Sequence, residues 1–486
     1  VRLAREDVGR IALAGGEPAR ELALGLFDQL VKLQERVARL EQQLRKDSRN
    51  SSSPPSRDPP KTRAERRREA ARKAKAWSKR EGEKRKPGGQ PGREGSGRKL
   101  LSEDQMSEIL HHYPDCCGGC GREFQEQEKT PGERFGRHQV AELPPIAVIY
   151  SERRTHQLRC PGCGKRTAGK LSAELAGSPF GIGVQAAVVT LTARNRLSRR
   201  DMPELAWELF GLGISPGAVD AICQRASAAL REPHEALVEK VLSSPAVNVD
   251  ETGWHTDADP RTLWTATTPE AAIFKIMEDR HRDRLEELLG KDFKGIVGSD
   301  RWWAYELIDP ESRQACWEHL KRDFFKHSEG LAEQKEFGAA GLALTKGLFK
   351  VWRAFEQHQD RGRLIREMKP IQNALLKLLE HAARKSMRTR QHRRFAKNLL
   401  KLWPALWTFV TVEGVKPTNN AAERALRGPV IYRRLSHGTQ SEAGERLIER
   451  ALSVSVTCRL QDRSMFTYMR DLLRARARGD PLPTLA

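Results

Sequence analysis

Three carboxylates in this sequence stand where chemistry could be done. Asp250 ends the β-branched run Ala246-Val247-Asn248-Val249-Asp250, and Asp300 ends the run Gly295-Ile296-Val297-Gly298-Ser299-Asp300. Alternation along a strand puts Asn248, Asp250 and Thr252 on one face and Val249 and Glu251 on the other, which favours Asp250 over Glu251 as the site residue. Two carboxylates held side by side at strand ends repel each other unless a cation sits between them. A third acid, Glu423, lies in Asn419-Asn420-Ala421-Ala422-Glu423-Arg424-Ala425-Leu426-Arg427, where an Asn is placed to cap a helix. Helical spacing then puts Asn420, Glu423 and Arg427 on one face. Three acids complete a site for two divalent ions, and a carboxylate beside a guanidinium suits a metal next to a phosphate.

The elements that must position these acids can be read around them. Thr262 to Thr268 and Ala271 to Met277 form a hairpin-like pair, and the helical run Arg282 to Leu289 stops at Gly290. The order strand, strand, strand, helix, strand allows the first and fourth strands to be neighbours, which brings Asp250 and Asp300 together. Between Asp300 and Glu423 lie 122 residues, too many for one strand and helix. Leu344, Leu348, Val351, Trp352 and Phe355 form one apolar stripe, and Leu364, Met368, Ile371, Leu375, Leu378 and Leu379 another. This predicts a helical insertion inside the catalytic fold, with a basic outer surface that includes Arg384, Lys385, Arg388, Arg390, Arg393 and Arg394.

Taken in order, Asp250-Glu251-Thr252, Gly298-Ser299-Asp300 with aromatics after it, Cys316-Trp317-Glu318-His319 with Arg322 and Phe324, and Asn419-Asn420-Ala421-Ala422-Glu423-Arg424 resemble the DDE transposases of the bacterial insertion sequence 66 family. The resemblance runs along nearly the whole chain, although this family commonly has an aromatic where His437 stands. It implies an RNase H-like core that cuts the ends of an insertion element and joins them to target DNA. Asp250, Asp300 and Glu423 would then hold two Mg²⁺ or Mn²⁺ ions, with Arg424, Arg427 and His319 near phosphate. Two readings compete: a DNA-binding regulator with an inactive nuclease fold, and an RNase H-like nuclease that cuts without joining.

Composition agrees with a polyanionic partner. The 486 residues carry a net charge of +22, and residues 61–99 alone, with 16 Lys or Arg and 5 Glu, supply half of it. In this tract Arg66, Arg67, Arg68, Arg72, Lys84, Arg85, Lys86 and Arg93 suit phosphate neutralisation, and Pro87 to Gly92 suits a minor groove; a solvated linker is the alternative. The break Asn50-Ser51-Ser52-Ser53-Pro54-Pro55 and the Gly-Gly-Gln-Pro-Gly segment resemble the same family. No run of about 18 apolar residues exists, so no membrane span is expected. With neither an initiator methionine nor a signal-peptide core at Val1-Arg2-Leu3, and with eight cysteines, the chain reads as cytoplasmic and nucleoid-associated.

The predicted organisation is multidomain α+β. Residues 1–48 form an N-terminal helix whose seam Leu26, Leu30, Leu33, Val37, Leu40 and Leu44 could zip two chains or pack on the chain's own body. Residues 49–100 are the basic linker. Residues 101–175 form a zinc-binding β unit in which Cys117 or its neighbour Cys116, with Cys120, Cys160 and Cys163, holds one structural Zn²⁺, between strand-like runs Gln139 to Leu143 and Ile146 to Leu158. Residues 176–243 are helical, with Asp201 to Phe210, a turn and Pro216 to Ala226 in helix-turn-helix proportions and Ser215 as N-cap. The RNase H-like core occupies 244–324 and 413–475, the insertion 325–412 and a frayed tail 476–486. Arg301-Trp302-Trp303-Ala304-Tyr305 reads as core aromatics beside the site, with base stacking as the alternative, and Cys316 as a buried strand residue. The implied partners are double-stranded DNA, a second copy of the chain and helper proteins of the same element.

Overall fold

The structure is a computed structural model that describes residues 16–44, 100–129, 136–144, 146–172, 178–330, 332–384 and 390–485. The basic tract, with Arg66, Arg67, Arg68, Arg72, Lys84, Arg85, Lys86 and Arg93, lies outside the described residues, as do Lys385 and Arg388. The chain divides into two units, one within residues 60–147 and one formed by residues 1–59 with 148–486. No helix among the described residues is long and apolar enough to cross a membrane.

Helix α1 (Gly16–Leu44) carries the predicted seam, and Leu26, Leu30, Leu33, Val37 and Leu40 are each more than half exposed. These side chains therefore do not pack on the chain's own described body. The side chain of Leu44 lies outside the described residues.

Strands β1 (Gln157–Arg159) and β2 (Arg166–Ala168) pair antiparallel around the knuckle Cys160 to Cys163. Of the strand-like runs expected at 139–143 and 146–158, only Gln157 and Leu158 are in a strand among the described residues. Most of their apolar residues find no cover: Val140, Leu143, Ile149 and Tyr150 are each three-quarters exposed or more, and Val148 is partly buried against the main core. An apolar alternation without a partner ladder does not make a sheet.

The central element is a mixed five-stranded sheet of β3 (Ala246–Thr256), β4 (Asp259–Thr267), β5 (Ala272–Met277), β6 (Ile296–Ser299) and β7 (Arg313–Ala315). Its order is β5-β4-β3-β6-β7, antiparallel across the first three strands and parallel from β3 to β7. Strand β3 does not end on Asp250 as its composition suggests. It runs on to Thr256 and turns into β4 through Asp257 and Ala258, both at positive φ, the signature of a two-residue hairpin turn. Only the parallel pairing stops early, because β6 ends at Ser299.

Helices cover both faces. Val247, Val249, Trp264, Ala266 and Ile273 face a core made with helices α2 (Ile182–Val189), α3 (Asp201–Phe210), α4 (Pro216–Ala229) and α5 (Arg231–Leu242). The α3–α4 pair is built as its sequence predicts: Ser215 caps α4 by accepting the Ala218 N–H at 3.2 Å, and Gly211 takes the left-handed conformation that ends α3. On the other face Trp254, Leu263, Phe274 and Ile276 meet helices that follow the insertion.

After α6 (Arg282–Leu289) and α7 (Trp317–Ser328), the insertion consists of α8 (Ala332–His358), α9 (Arg361–Ala383) and α10 (Arg390–Lys401). Both predicted stripes meet in one core with Trp317, Leu320 and Phe324 of α7. Close approach of α7 and α8 needs Gly341, where a Cβ would fall 2.1 Å from the Phe324 ring.

The chain then returns through α11 (Asn420–Ser436), α12 (Glu442–Leu460) and α13 (Met465–Arg478). Helix α12 seals the free edge of β5. Ala272 N–H donates to Thr457 Oγ1 at 3.0 Å, Phe274 N–H to Ser453 Oγ at 3.0 Å and Ile276 N–H to Glu449 Oε1 at 2.7 Å. The match is geometric, since four helical residues and two strand residues both advance by about 6 Å. The last residues are docked rather than frayed: Leu485 is buried, and Arg463 and Gln461 donate to the carbonyls of Thr484 and Leu485. Leu485 joins the same core as the helices that cover the sheet, which gives the tail a fixed place.

Candidate active site

Asn248 of β3 stands opposite Gly298 of β6, so Asp250 and Asp300 occupy equivalent positions where the parallel ladder ends. Gly298 lets the Asn248 side chain lie close against β6, since a Cβ there would come 2.6 Å from Asn248 Oδ1 and displace it. Asp300 accepts the Trp302 N–H at 2.8 Å, which folds the chain sharply back after the strand.

Below that turn lies Arg313 of β7, a fully buried guanidinium that the sequence did not reveal. It donates to Ser299 Oγ at 3.1 Å, to the Asp300 carbonyl at 2.6 Å and to the Tyr305 carbonyl at 3.0 Å. Burial lowers its pKa to about 10, so it remains charged at neutral pH and fixes the backbone that carries Asp300.

Glu423 is delivered by α11. Asn419 takes the N-cap place but not the capping role: its side chain donates instead to the Val249 carbonyl at 2.8 Å, one residue before Asp250. The helix start is thereby tied to the strand. Burial, then the charges of Glu251, Asp300 and Glu423, push the Asp250 carboxyl well above its usual range. The three sequence-predicted acids are thus brought within electrostatic reach of one another.

His319 lies beside Glu423, with Nδ1 3.6 Å from Oε1, and Arg322 is 3.7 Å from the same oxygen. Burial and Arg322 hold the His319 pKa below its usual value, so the ring is neutral at pH 7. Glu423 Oε1, His319 Nδ1 and Asn419 Oδ1 are all buried without a hydrogen-bond partner. Unpartnered polar atoms of this kind, next to crowded carboxylates, fit a divalent cation with oxygen ligands. Cys316, His319 and Glu423 also offer atoms within 4.8 Å of one another. Cys316 is not a strand residue but the N-cap position of α7, and burial pushes its thiol up to about 12. It stays protonated and accepts the Asn419 N–H at 3.2 Å, so it is a poor ligand. Arg424 and Arg427 are exposed on α11.

Glu251 departs from expectation. Alternation does turn it to the face opposite Asp250, yet that face is closed by the loop after Asp300. Its carboxylate accepts from the Tyr305 hydroxyl at 2.6 Å and pairs with Arg280, which lies over the Trp302 ring at 4.1 Å. Tyr305 is buried, whereas Trp303 is partly exposed against His281 and Arg282. Of the expected core aromatics, Trp303 is therefore at the surface.

Each cysteine knuckle is built the same way. Cys117 N–H donates to the Arg122 carbonyl and Gly121 N–H to Cys117; Cys160 N–H donates to Lys165 and Gly164 N–H to Cys160. Gly121 and Gly164 both sit at φ +73°. In the first knuckle the N–H groups of Cys120 and Gly119 lower the Cys117 thiol, and in the second those of Cys163 and Gly162 lower Cys160. The bonds centre on Cys117 rather than Cys116.

Comparison with known proteins matches residues 177–447 to the model of the Transposase IS66 family, more than half of the chain. The chain belongs to that transposase family. All three acids and the whole of the five-stranded sheet lie inside the matched region. Residues 16–99 match a family of unknown function. The uncharacterized protein y4hP of Sinorhizobium fredii is 24% identical over 308 residues, 57% of this chain and 55% of that protein. The chain thus spans about half the length of that relative.

Proposed function

We propose that the protein is a DNA transposase of the DDE type, cutting insertion-element ends and joining them to target DNA. The observation that supports this reading is that Asp250, beside Asp300 at the end of the parallel ladder, feels the charges of both Asp300 and Glu423, with Glu423 Oε1 buried and lacking a hydrogen-bond partner. The strand order and directions are those of an RNase H-like core, which supports the same reading. Asp250, Asp300 and Glu423 would hold two Mg²⁺ or Mn²⁺ ions. Bound there, the ions supply Lewis-acid activation of the attacking hydroxyl and stabilisation of the leaving oxygen.

The chain's own residues do the positioning. Arg313 and the Trp302 N–H fix Asp300, Asn419 fixes the start of α11, and neutral His319 can donate to a phosphate oxygen. Arg424 and Arg427 present charge on the same helix. The basic tract and α3–α4 bind duplex DNA, and the knuckles Cys117/Cys120 and Cys160/Cys163 supply thiolates for zinc. The exposed seam of α1 supports self-association of the chain on it.

The test is Asp300→Asn assayed on a duplex carrying the element's ends with Mg²⁺. Cleavage and joining should both fall by about 10³-fold or more, with duplex binding unchanged. Cleavage that persists would refute the reading, and cleavage without joining in the wild type would mark a simple nuclease.

A further inference from the structure

Behind α11, on the side away from Glu423, three arginines converge without a carboxylate. Arg194 and Arg196 follow α2, Arg459 closes α12, and all three line a shallow cleft with Gly428 and Pro429 of α11. Nearby Arg199 has its ion pair, with Asp220 at 2.8 Å, but none of the three forms one among the described residues. The charges acting on Arg459 are those of Arg194 and Arg196, and they lower its pKa after burial does.

The backbone is strained to build this cluster. Residues Thr190–Arg194 form a π-helical turn, an irregularity that recurs at functional sites. Leu197 N–H then closes on the Leu191 carbonyl, and Arg196 is left at φ +65°, a conformation that normally falls to glycine. An arginine placed there costs stability and brings its guanidinium over Gly428, whose added Cβ would lie 3.5 Å from it.

The geometry points to a second phosphate-binding site, in which Arg194, Arg196 and Arg459 grip the DNA backbone away from the bond being cut. This rests on the transposase reading for the identity of the polyanion. Ala425, Gly428 and Pro429 lie about half a turn around α11 from Glu423, and a helix with its side chains is about 10–12 Å across. At about 3.4 Å per nucleotide along a strand, the phosphates held would be about three or more nucleotides from the scissile one.

The experiment compares the full chain with Arg194→Ala/Arg459→Ala, and with Arg196→Gly, for binding to a 40-base-pair duplex of arbitrary sequence over a salt series. The double variant should bind about tenfold or more weakly, and the slope of log affinity against log salt should fall by about 0.9 for each phosphate that is no longer neutralised. Its melting temperature should be unchanged or higher, since like charges are separated. Arg196→Gly should melt higher and bind more weakly, a combination that a structural role would not give. Arg194→Lys/Arg459→Lys should recover part of the affinity.

Unchanged affinity and slope in the double variant, beside a wild type that binds and cuts, would overturn the site and leave the transposase reading intact. So would a large loss of melting temperature in both variants. Stabilisation of the wild type alone by inorganic pyrophosphate, with duplex binding unaffected by the substitutions, would make it a small-anion site and also overturn the proposal. A wild type that binds no duplex sinks both readings.

Discussion

The Tyr305 hydroxyl donates to the Glu251 carboxylate at 2.6 Å, joining strand β3 to the loop that follows Asp300. Glu251 is buried, and its pKa is raised first by that burial and then by Asp300. Strand alternation alone makes Glu251→Ala a silent control. The structure predicts otherwise: removing the carboxylate leaves a buried hydroxyl and Arg280 without their acceptor, and frees the loop that holds Asp300.

Glu251→Ala should therefore slow single-turnover cleavage by about tenfold or more. Tyr305→Phe, which deletes one bond and little volume, should cost about 1 kcal/mol, or about 2–4 °C in melting temperature. Melting curves and single-turnover rates decide it. Wild-type behaviour in both variants would return Glu251 to the status of a bystander.

Glu449, on the β5 edge of the sheet, supplies a pH dependence separate from that of the three acids. Burial raises its pKa to about 7, although its Oε1 accepts the Ile276 N–H. A folded pKa above the unfolded value means that folding takes up a proton, so this stabilisation is full below about pH 4.5 and is lost as pH rises through about 7. Glu449→Gln keeps an acceptor and removes the titration. It should melt like the wild type near pH 4.5 and be more stable at pH 8, by roughly 3 kcal/mol. Parallel pH profiles for the two proteins would show that Glu449 does not titrate in this range.

Metal content tests the cysteine knuckles. Elemental analysis should find about one zinc per chain, absent from Cys160→Ser and from Cys117→Ser. Cys116→Ser should keep it, because the knuckle hydrogen bonds are made by Cys117. A metal-free chain with a disulfide would exclude the site.

The basic tract makes a separate forecast. Deleting residues 61–93 should weaken binding to every duplex alike and flatten the salt dependence, since each phosphate left without its cation takes about 0.9 from the slope. Affinity and slope that match the full chain would leave the tract a linker.

Local features were legible in the sequence and long-range ones were not. The capped start of α4 at Ser215-Pro216 is written in adjacent residues, and the insertion stripes in regular spacing. The β-branched runs before Asp250 and Asp300 announced two strands, and only a partner ladder could reveal that β3 continues to Thr256. Glu251 shows the limit of alternation: it gives the face of a side chain and nothing of what covers that face. Arg313 looked like any surface arginine, because its three acceptors are set by the fold around it. The same holds for Glu449, Ser453 and Thr457, whose spacing of four carries no meaning until a strand edge lies beside them.

The position of Glu423 so far along the chain has a consequence for biosynthesis. It is separated from Asp300 by 122 residues, behind three insertion helices, and its helix is tied to β3 through Asn419. At about 5–20 residues per second, the ribosome needs roughly 6–25 s to make that interval. Throughout that time the emerging polypeptide carries its basic tract and both aspartates but no third acid, so on the proposed reading it would hold DNA without being able to cut it. A product truncated anywhere within the insertion would, on that reading, stay in that condition and compete with intact copies for the same element ends.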